Sequence, residues 1–345
     1  MDALVITRHG GPEVLAISNE PPPPVSNRDT LVNVHCGGLN FADIMSLNGG
    51  YPGTPPPPLI AGREFSGTEA STSRRVMGYA QYGAFAEQIA ARPALLWPVP
   101  DRFSDEQAAA FPVNFFTAYF AYWQAGMIPP PSEKSTPGAP VLASFARSGD
   151  LPSARKTDVP PRVLIHAVAG GVGTAAVQVG KLLGVEMYGT SSSEDKLQRV
   201  KPLGLQHAIN YKKRDYEEAI KELTKGEGVD AVFEMLGGEH TAKSLRCLSD
   251  FGRVIQYGTA TGQQPKLDLR AMYAKSASVQ GLWLTYLSGK SDLMSAAWTQ
   301  LSAWANAGKL TPVVGHSFPF DHAPEAYALL AEGRNYGKVV LKIGS

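Results

Sequence analysis

The chain has 345 residues, 43% of them hydrophobic and 18% charged, which is enough apolar material for about two domains at roughly 150 residues each. Thirty-two basic and 31 acidic side chains leave a net charge of +1, so there is no electrostatic footprint for nucleic acid or an anionic membrane. Two cysteines, Cys36 and Cys247, exclude a disulfide framework and a four-cysteine zinc lobe; with no apolar run near the ~18 residues of a membrane span and no secretory signal in Met1–Leu15, a cytoplasmic protein is expected.

The first 115 residues read as short strands and loops. Ala3–Thr7 and Thr30–His35 are runs of β-formers, and Gly83–Ala90 is a further strand candidate. Proline tracts at Pro21–Pro24 and Pro55–Pro58 force extended loops. Ser104, with Gln107 three residues on, is a capping box that opens a short helix over Glu106–Phe111.

From Arg162 the texture changes. Strands are predicted at Arg162–Val168, Glu186–Thr190, His207–Tyr211, Val229–Leu236, Gly252–Gly258 and Ala277–Leu284. Helices alternate with the first five, at Val172–Gly184, Glu194–Leu203, Asp215–Lys225 and Glu239–Ser249. Buried strands alternating with helices mean βαβ units and a parallel sheet, and six strands in this order fit a doubly wound dinucleotide-binding fold. A helix over Ser291–Ala307, a strand at His316–Phe320, a helix over Pro324–Gly333 and a strand at Lys338–Ile343 close the chain, and this segment is expected to rejoin the N-terminal domain. One stretch, Ile128–Pro161, holds eight prolines and fits neither domain. It reads as a surface insertion or as a lid over the cleft between the domains.

The strongest chemical signal is Ala167-Val-Ala-Gly170-Gly171-Val172-Gly173, which follows a strand and opens a helix as a pyrophosphate-binding turn must. Gly170 lets the backbone approach phosphates, Gly173 lets helix and strand pack closely, and the free amides at the helix start favour negative charge. Val168 stands where the first glycine of the usual pattern falls. An NAD site places a carboxylate at the tip of the second strand, on the ribose 2′-hydroxyl. Here the strand ends Gly189-Thr190-Ser191-Ser192-Ser193, with Lys196 one turn into the helix. Hydroxyls plus a cation suit a 2′-phosphate, so NADP(H) is the expected cofactor. The alternative is that Ser192 caps the helix and Lys196 is a solvated side chain.

Gly38-Leu39-Asn40-Phe41-Ala42-Asp43-Ile44, Gly50-Tyr51-Pro52 and Ala61-Gly62-Arg63-Glu64-Phe65-Ser66-Gly67, together with Val163–Lys181, Pro112–Tyr119 and Gly333–Leu341, resemble the medium-chain dehydrogenase/reductase superfamily in its zinc-free quinone oxidoreductase branch, which includes zeta-crystallin. The resemblance covers nearly the whole chain except the insertion. It implies a GroES-like β-barrel catalytic domain, residues 1–118 and 288–345, and a doubly wound Rossmann NADP-binding domain, residues 119–287, with the active site in the cleft between them. Zinc-dependent relatives carry a Cys at the position of Asn40 and a His at that of Arg63. An amide and a guanidinium do not build a catalytic zinc site, so no metal is expected.

The resemblance assigns catalytic roles to Asn40, Tyr51 and Thr117. Asn40 would donate to a carbonyl or developing oxyanion or would hold a neighbouring loop. Tyr51 would orient a quinone or donate a proton, or would only pack. Thr117 would touch the nicotinamide. Tyr211 would flank the 2′-phosphate, and Leu236, Gly258, Leu282, Leu284 and Asn335 complete the cofactor contacts. The implied reaction is NADPH-dependent hydride delivery to a small conjugated carbonyl compound, most simply a quinone. Reduction of an activated C=C in an enal, enone or enoyl thioester, and a non-catalytic NADPH-binding role, are the alternatives. The resemblance also implies a homodimer, joined through the apolar edge strand 277–284.

Overall fold

The structure, a computed structural model, describes residues 1–129 and 159–344. By contacts the chain divides into two units, Met1–Phe116 with Gln300–Ser345, and Thr117–Thr299. The last of these boundaries falls inside the helix Ser291–Asn306. Residues 130–158, and with them the insertion and lid readings of 128–161, lie outside the described residues. No helix among the described residues is long and apolar enough to cross a membrane.

The first unit is the GroES-like half, built of short and mostly antiparallel strands. They are β1 (Asp2–Ile6), β2 (Leu15–Asn19), β3 (Thr30–Leu39), β4 (Leu59–Ile60), β5 (Glu64–Glu69), β6 (Arg75–Tyr79), β7 (Gln88–Ala91) and β8 (Leu96–Pro98), followed near the C-terminus by β15 (Val314–Pro319) and β16 (Lys338–Lys342). One sheet runs β2-β1-β4, and the larger one β15-β16-β3-β5-β6-β8, with β7 pairing β3. The C-terminal strand pairs with the N-terminal segment: Val340 pairs Gly38 and Lys342 pairs Cys36 across antiparallel β16 and β3. Phe65, Phe85, Val34, Leu39, Tyr327 and Leu341 meet in the core.

The expected strand Gly83–Ala90 survives only as Gln88–Ala91. Phe85 explains the difference. Its ring is fully buried, and it lies so close over Gly37 and Gly62 that a Cβ on either glycine would meet it at 2.5 and 2.3 Å. Its amide bonds Ala61 and that of Ala84 bonds Gly62, so the ring plugs the core while the backbone meets β1 in an isolated bridge, Ala3 to Ala86. The capping box at Ser104 forms as read: Ser104 Oγ accepts from the Gln107 amide at 3.2 Å, and the Ser104 amide donates to Gln107 Oε1 at 3.1 Å, starting the helix Asp105–Ala109.

The second unit is a six-stranded parallel sheet in the order β11-β10-β9-β12-β13-β14. Its strands are β9 (Arg162–Ile165), β10 (Glu186–Ser191), β11 (His207–Asn210), β12 (Val229–Glu234), β13 (Leu248–Gln256) and β14 (Ser278–Gly281). The order reverses direction at β9/β12, the switch point of a doubly wound fold. Leu164, Tyr188, Ile220, Val232, Leu245 and Val254 build its core.

Two element boundaries differ from the sequence reading for clear reasons. The helix from Glu194 ends at Val200 and continues as a single tighter turn, Lys201–Leu203, because Pro202 lacks the amide a helix interior needs. The edge strand covers only Ser278–Gly281. Beyond it Leu284 and Leu287 are buried while Trp283 and Tyr286 are exposed. That spacing is helical, and Leu284–Leu287 forms a short helix. Of the expected strand 277–284, Ser278–Gly281 is strand and Leu284 already opens the helix.

The turn from β9 into the helix Gly171–Leu182 is drawn tight. Ala167 takes a positive φ of 48°, and a Cβ on Gly173 would stand 2.5 Å from the Val168 carbonyl and 2.6 Å from that of Ala167. Both neighbours are backbone and have no rotamer to change. Gly173→Ala is expected to cost about 1–3 kcal/mol, read as a lower midpoint in urea unfolding. An unchanged midpoint would show that helix and strand separate freely at this turn.

Candidate active site

In the second unit the expected cofactor residues share one edge of the sheet. Gly170 follows β9, Ser192 follows β10, Tyr211 follows β11, Leu236 follows β12, Gly258 follows β13 and Leu282 follows β14. All the strands are parallel, so these positions stand together at their carboxyl ends, where doubly wound sheets bind ligands. Gly170 is the N-cap of the helix Gly171–Leu182 and supplies no side chain to satisfy its first amides, so the donors of Gly171, Val172 and Gly173 belong to a helix start that attracts anions. Leu284, like Leu282, is buried.

At the tip of β10 the helix cap is Ser193, whose Oγ accepts from the Lys196 amide at 3.4 Å. The alternative in which Ser192 caps this helix is thereby corrected by one residue, and the Ser192 side chain is not used as the cap. Lys196 is half-buried, and Tyr211, 45% exposed, is held by its amide to the Ser191 carbonyl at 3.2 Å. Of the two acids near this tip, Glu194 accepts from Gln198 at 3.1 Å and faces Lys213 at 3.5 Å.

Glu234, at the end of β12, is a residue the sequence reading missed. Its carboxylate is fully buried. Oε1 accepts from the amides of Leu236 at 2.6 Å and Gly237 at 3.2 Å, and Oε2 accepts from Ser244 Oγ at 2.6 Å. His166 lies against the same group, its Nε2 3.0 Å from Ser244 Oγ and 3.5 Å from Glu234 Oε2, its Nδ1 2.9 Å from Thr190 Oγ1. Burial holds the imidazole below its ordinary range, so the ring is neutral near pH 7. This network fixes the loop that carries Leu236.

In the first unit, Asn40 sits between β3 and the helix Phe41–Leu47. Its Nδ2 donates to the Gly38 carbonyl at 3.1 Å and to Glu64 Oε1 at 2.9 Å, and its Oδ1 accepts from Lys338 Nζ. Both amide hydrogens are engaged within the protein, which is the loop-holding arrangement of the two open to this residue. Lys338 Nζ also pairs with Glu64 Oε1, and Glu64 Oε2 accepts from the Val113 amide at 2.7 Å. Glu64 and Lys338 are 0% and 2% exposed. The sequence motif around Lys338 points to the cofactor; its ammonium is spent on this pair.

The Asn40 amide donates to Asp43 Oδ2 at 2.8 Å. Asp43 is buried, and desolvation pushes its carboxyl up to about 6, with Arg63 opposing the shift. Arg63 Nε faces Asp43 Oδ1 at 3.7 Å, and the Arg63 guanidinium carbon stands 3.9 Å from the centre of the Tyr51 ring. Asn40 and Tyr51 are thus joined through Asp43 and Arg63. Asn335 donates to the Gly337 carbonyl at 2.9 Å in the turn before β16. Thr117, buried in the helix Pro112–Gln124, belongs to the second unit.

Comparison with known proteins agrees with this architecture. Residues 203–341 match the family described as zinc-binding dehydrogenase. The chain is 31% identical to the rat synaptic vesicle membrane protein VAT-1 homolog, covering 99% of this chain and 84% of that one. It is 28% identical to bovine quinone oxidoreductase-like protein 2, covering 95% and 89%. Among solved structures, the quinone oxidoreductase of Thermus thermophilus, determined also in complex with NADPH, superposes with a TM-score of 0.82 at 32% identity over 99% of this chain and 100% of that one. The chain belongs to the quinone oxidoreductase branch of the medium-chain dehydrogenase/reductase superfamily.

The family description names zinc, and the donors here do not fit it. Asn40 presents an amide, Arg63 a guanidinium that has no lone pair to give, and Glu64 a carboxylate already bound to Lys338 and Val113. Among the described residues no group of three His, Cys, Asp or Glu could hold a metal ion.

The pair Lys338–Glu64 gives a direct test of the site's construction. Lys338→Met keeps the length and apolar stem but leaves the Glu64 carboxylate buried without its cation. Breaking such a pair from one side costs about 3–5 kcal/mol. Chemical denaturation should show a loss of that size, and neutralising the other side with Glu64→Gln in the Lys338→Met background should recover part of it.

Proposed function

We propose that this NADP(H)-dependent oxidoreductase delivers hydride directly to a quinone or a similar conjugated carbonyl compound, without zinc. The observation that carries the reading is the state of Arg63: the guanidinium is committed to Gln81, Ser46 and Thr54 at a position where a zinc site would need a ligand. Polarisation of the substrate then falls to hydrogen-bond donors and to the conjugation of the substrate itself. The quinone oxidoreductase names of the relatives and the NADPH complex of the Thermus enzyme support the substrate class and the cofactor.

NADPH supplies the hydride when bound. Gly170, Gly171, Val172 and Gly173 would cradle its pyrophosphate, and Ser192, Lys196 and Tyr211 its 2′-phosphate. Leu236, Gly258, Leu282, Leu284 and Asn335 would line the rest of the dinucleotide, with Thr117 at the nicotinamide. Tyr51 would orient the substrate, and Asn40 would act by holding the Gly38 and Glu64 frame. The same reading places the protein in the cytoplasm, where the buried thiols Cys36 and Cys247 stay reduced.

Wild-type protein should oxidise NADPH with quinones, in a screen that includes enals and enoyl thioesters, and turnover should survive dialysis against a chelator. Turnover confined to the alkenes would replace the quinone reading, and one tightly held zinc per chain would end the zinc-free one. For Lys196→Ala, the loss of charge-assisted bonds of about 1.5–3 kcal/mol should weaken NADPH roughly 10- to 100-fold and leave NADH nearly unchanged, measured by nicotinamide fluorescence at fixed salt. Equal losses for both cofactors would make Lys196 a support of the fold.

We further propose a homodimer through β14. The strand is the outermost of its sheet, and Trp283, Tyr286, Tyr273 and Leu269 are exposed on the segments flanking it. An open edge of this kind invites pairing. Sedimentation at micromolar concentration should give twice the chain mass; a monomer would contradict the proposal.

A further inference from the structure

We infer that Arg63 is a positioning residue: it fixes Tyr51, and through Tyr51 it sets the affinity for a flat, conjugated substrate. The inference rests on the reading of Tyr51 as a substrate-orienting residue.

Arg63 is 3% exposed. Removing such a group from water is costly unless its donors find partners, and the partners it finds surround one turn. Nη2 donates to Ser46 Oγ at 2.6 Å and to Thr54 Oγ1 at 3.2 Å. Nη1 donates to the Gln81 carbonyl. Ser46 lies in the helix Phe41–Leu47, before the turn, and Thr54 just after it. Their two hydroxyls are also 3.1 Å apart. Between them the guanidinium lies over the ring of Tyr51, its carbon 3.9 Å from the ring centre. One side chain thus clasps both ends of the turn and its central residue.

The turn needs this. It reads Asn48-Gly49-Gly50-Tyr51-Pro52-Gly53, and Gly49 and Gly53 take positive φ angles of 80° and 76°. Glycines at such angles have large unfolded-chain freedom to lose. The backbone bonds tie the turn back mainly to one carbonyl, Met45, which accepts from Gly50 at 2.7 Å and from Tyr51 at 3.2 Å. Neither of these two bonds sets the plane of the ring. A cation over the ring face does, because the attraction depends on that geometry. Only arginine offers a fork of donors at its edge and a stacking face together. A lysine would keep a positive charge near Asp43 but would lose both the fork and the face.

The test uses the full-length protein and three variants: Arg63→Lys, Tyr51→Ala and the double variant. With NADPH and a quinone, Arg63→Lys should raise the KM for the quinone roughly tenfold, with a smaller change in kcat and an unchanged Kd for NADPH. In the Tyr51→Ala background the same substitution should add no more than about twofold, because residues acting as one unit are not additive. Equal factors in the two backgrounds would overturn the inference, and so would a loss of NADPH affinity that matches the change in KM. A second readout does not depend on turnover. Amide hydrogen exchange at Gly50 and Tyr51 should quicken in Arg63→Lys while the six-stranded sheet is unchanged; equal protection would overturn the positioning role. Absent wild-type turnover with every quinone would fail the functional reading instead, and the exchange measurement would still decide whether Arg63 holds the turn. Should Arg63→Lys not fold, Thr54→Val removes one clasp and leaves the buried charges paired. It should move the quinone KM in the same direction by a smaller factor, and an unmoved KM would overturn the inference.

Discussion

A lysine and a glutamate, both taken out of water, hold the first unit together. Lys338 is on β16 and Glu64 on β5, on either side of β3. Asn40, at the end of β3, bonds to both of them. Glu64 also reaches the amide of Val113, in the first turn of the helix Pro112–Gln124, where a carboxylate is favoured by the helix dipole. Four pieces of chain far apart in sequence are therefore fixed by one pair of opposite charges. Replacing such a pair with apolar groups is often tolerable for stability alone. What an apolar pair would not reproduce is the directional bonding to Asn40 and Val113, and this is what places the start of the helix Phe41–Leu47 and with it Asp43.

The second unit solves the same problem without a cation. Glu234 is as deeply buried as Glu64, and its charge is met by two amides and by Ser244, whose hydroxyl His166 contacts in turn. Hydrogen bonds to a charged group are each worth more than neutral ones, so a carboxylate can be held by donors alone when enough of them converge. Each carboxylate ends up governing a segment that leaves a strand at a candidate site: Glu64 through Asn40 after β3, and Glu234 through Leu236 after β12. Both segments have glycines close by, and each is tied to its buried acid.

The second unit is legible in the sequence because its physics is local. Buried strands alternate with helices, the Gly170–Gly173 turn lies where strand meets helix, and the register follows from the topology. The first unit is harder. Its strands are short and pair across long stretches of chain, and nothing local marks β2, β4 or β6. Phe85 misleads for a related reason: it looks like a strand residue, and only its packing over Gly37 and Gly62 shows that it is a plug. Leu284 looks like the end of a strand because apolar residues of either period look alike over so few positions. Lys338 reads as part of a cofactor motif, since its partner Glu64 is 274 residues away. Arg63 shows in the sequence only as a residue that cannot bind zinc. Its positive role depends on Ser46, Thr54 and Tyr51 coming together, which no spacing rule announces.

The place of Arg63 also bears on what substrate this kind of site suits. A zinc ion stabilises the localised charge that forms when hydride reaches an isolated carbonyl. A guanidinium whose terminal nitrogens are tied to Gln81, Ser46 and Thr54 and whose Nε faces Asp43 is poorly placed to turn toward such a charge. Asn40, with both amide hydrogens engaged, has no donor left for it. On the proposed reading, a site built this way favours an acceptor that carries its own stabilisation. Hydride addition to a quinone spreads the new charge over a ring that becomes aromatic, and the remaining demand on the protein is to hold two flat systems in register. On the proposed reading, that holding falls to the turn around Tyr51, and Arg63, which offers no lone pair to a metal, is the residue that fastens this turn.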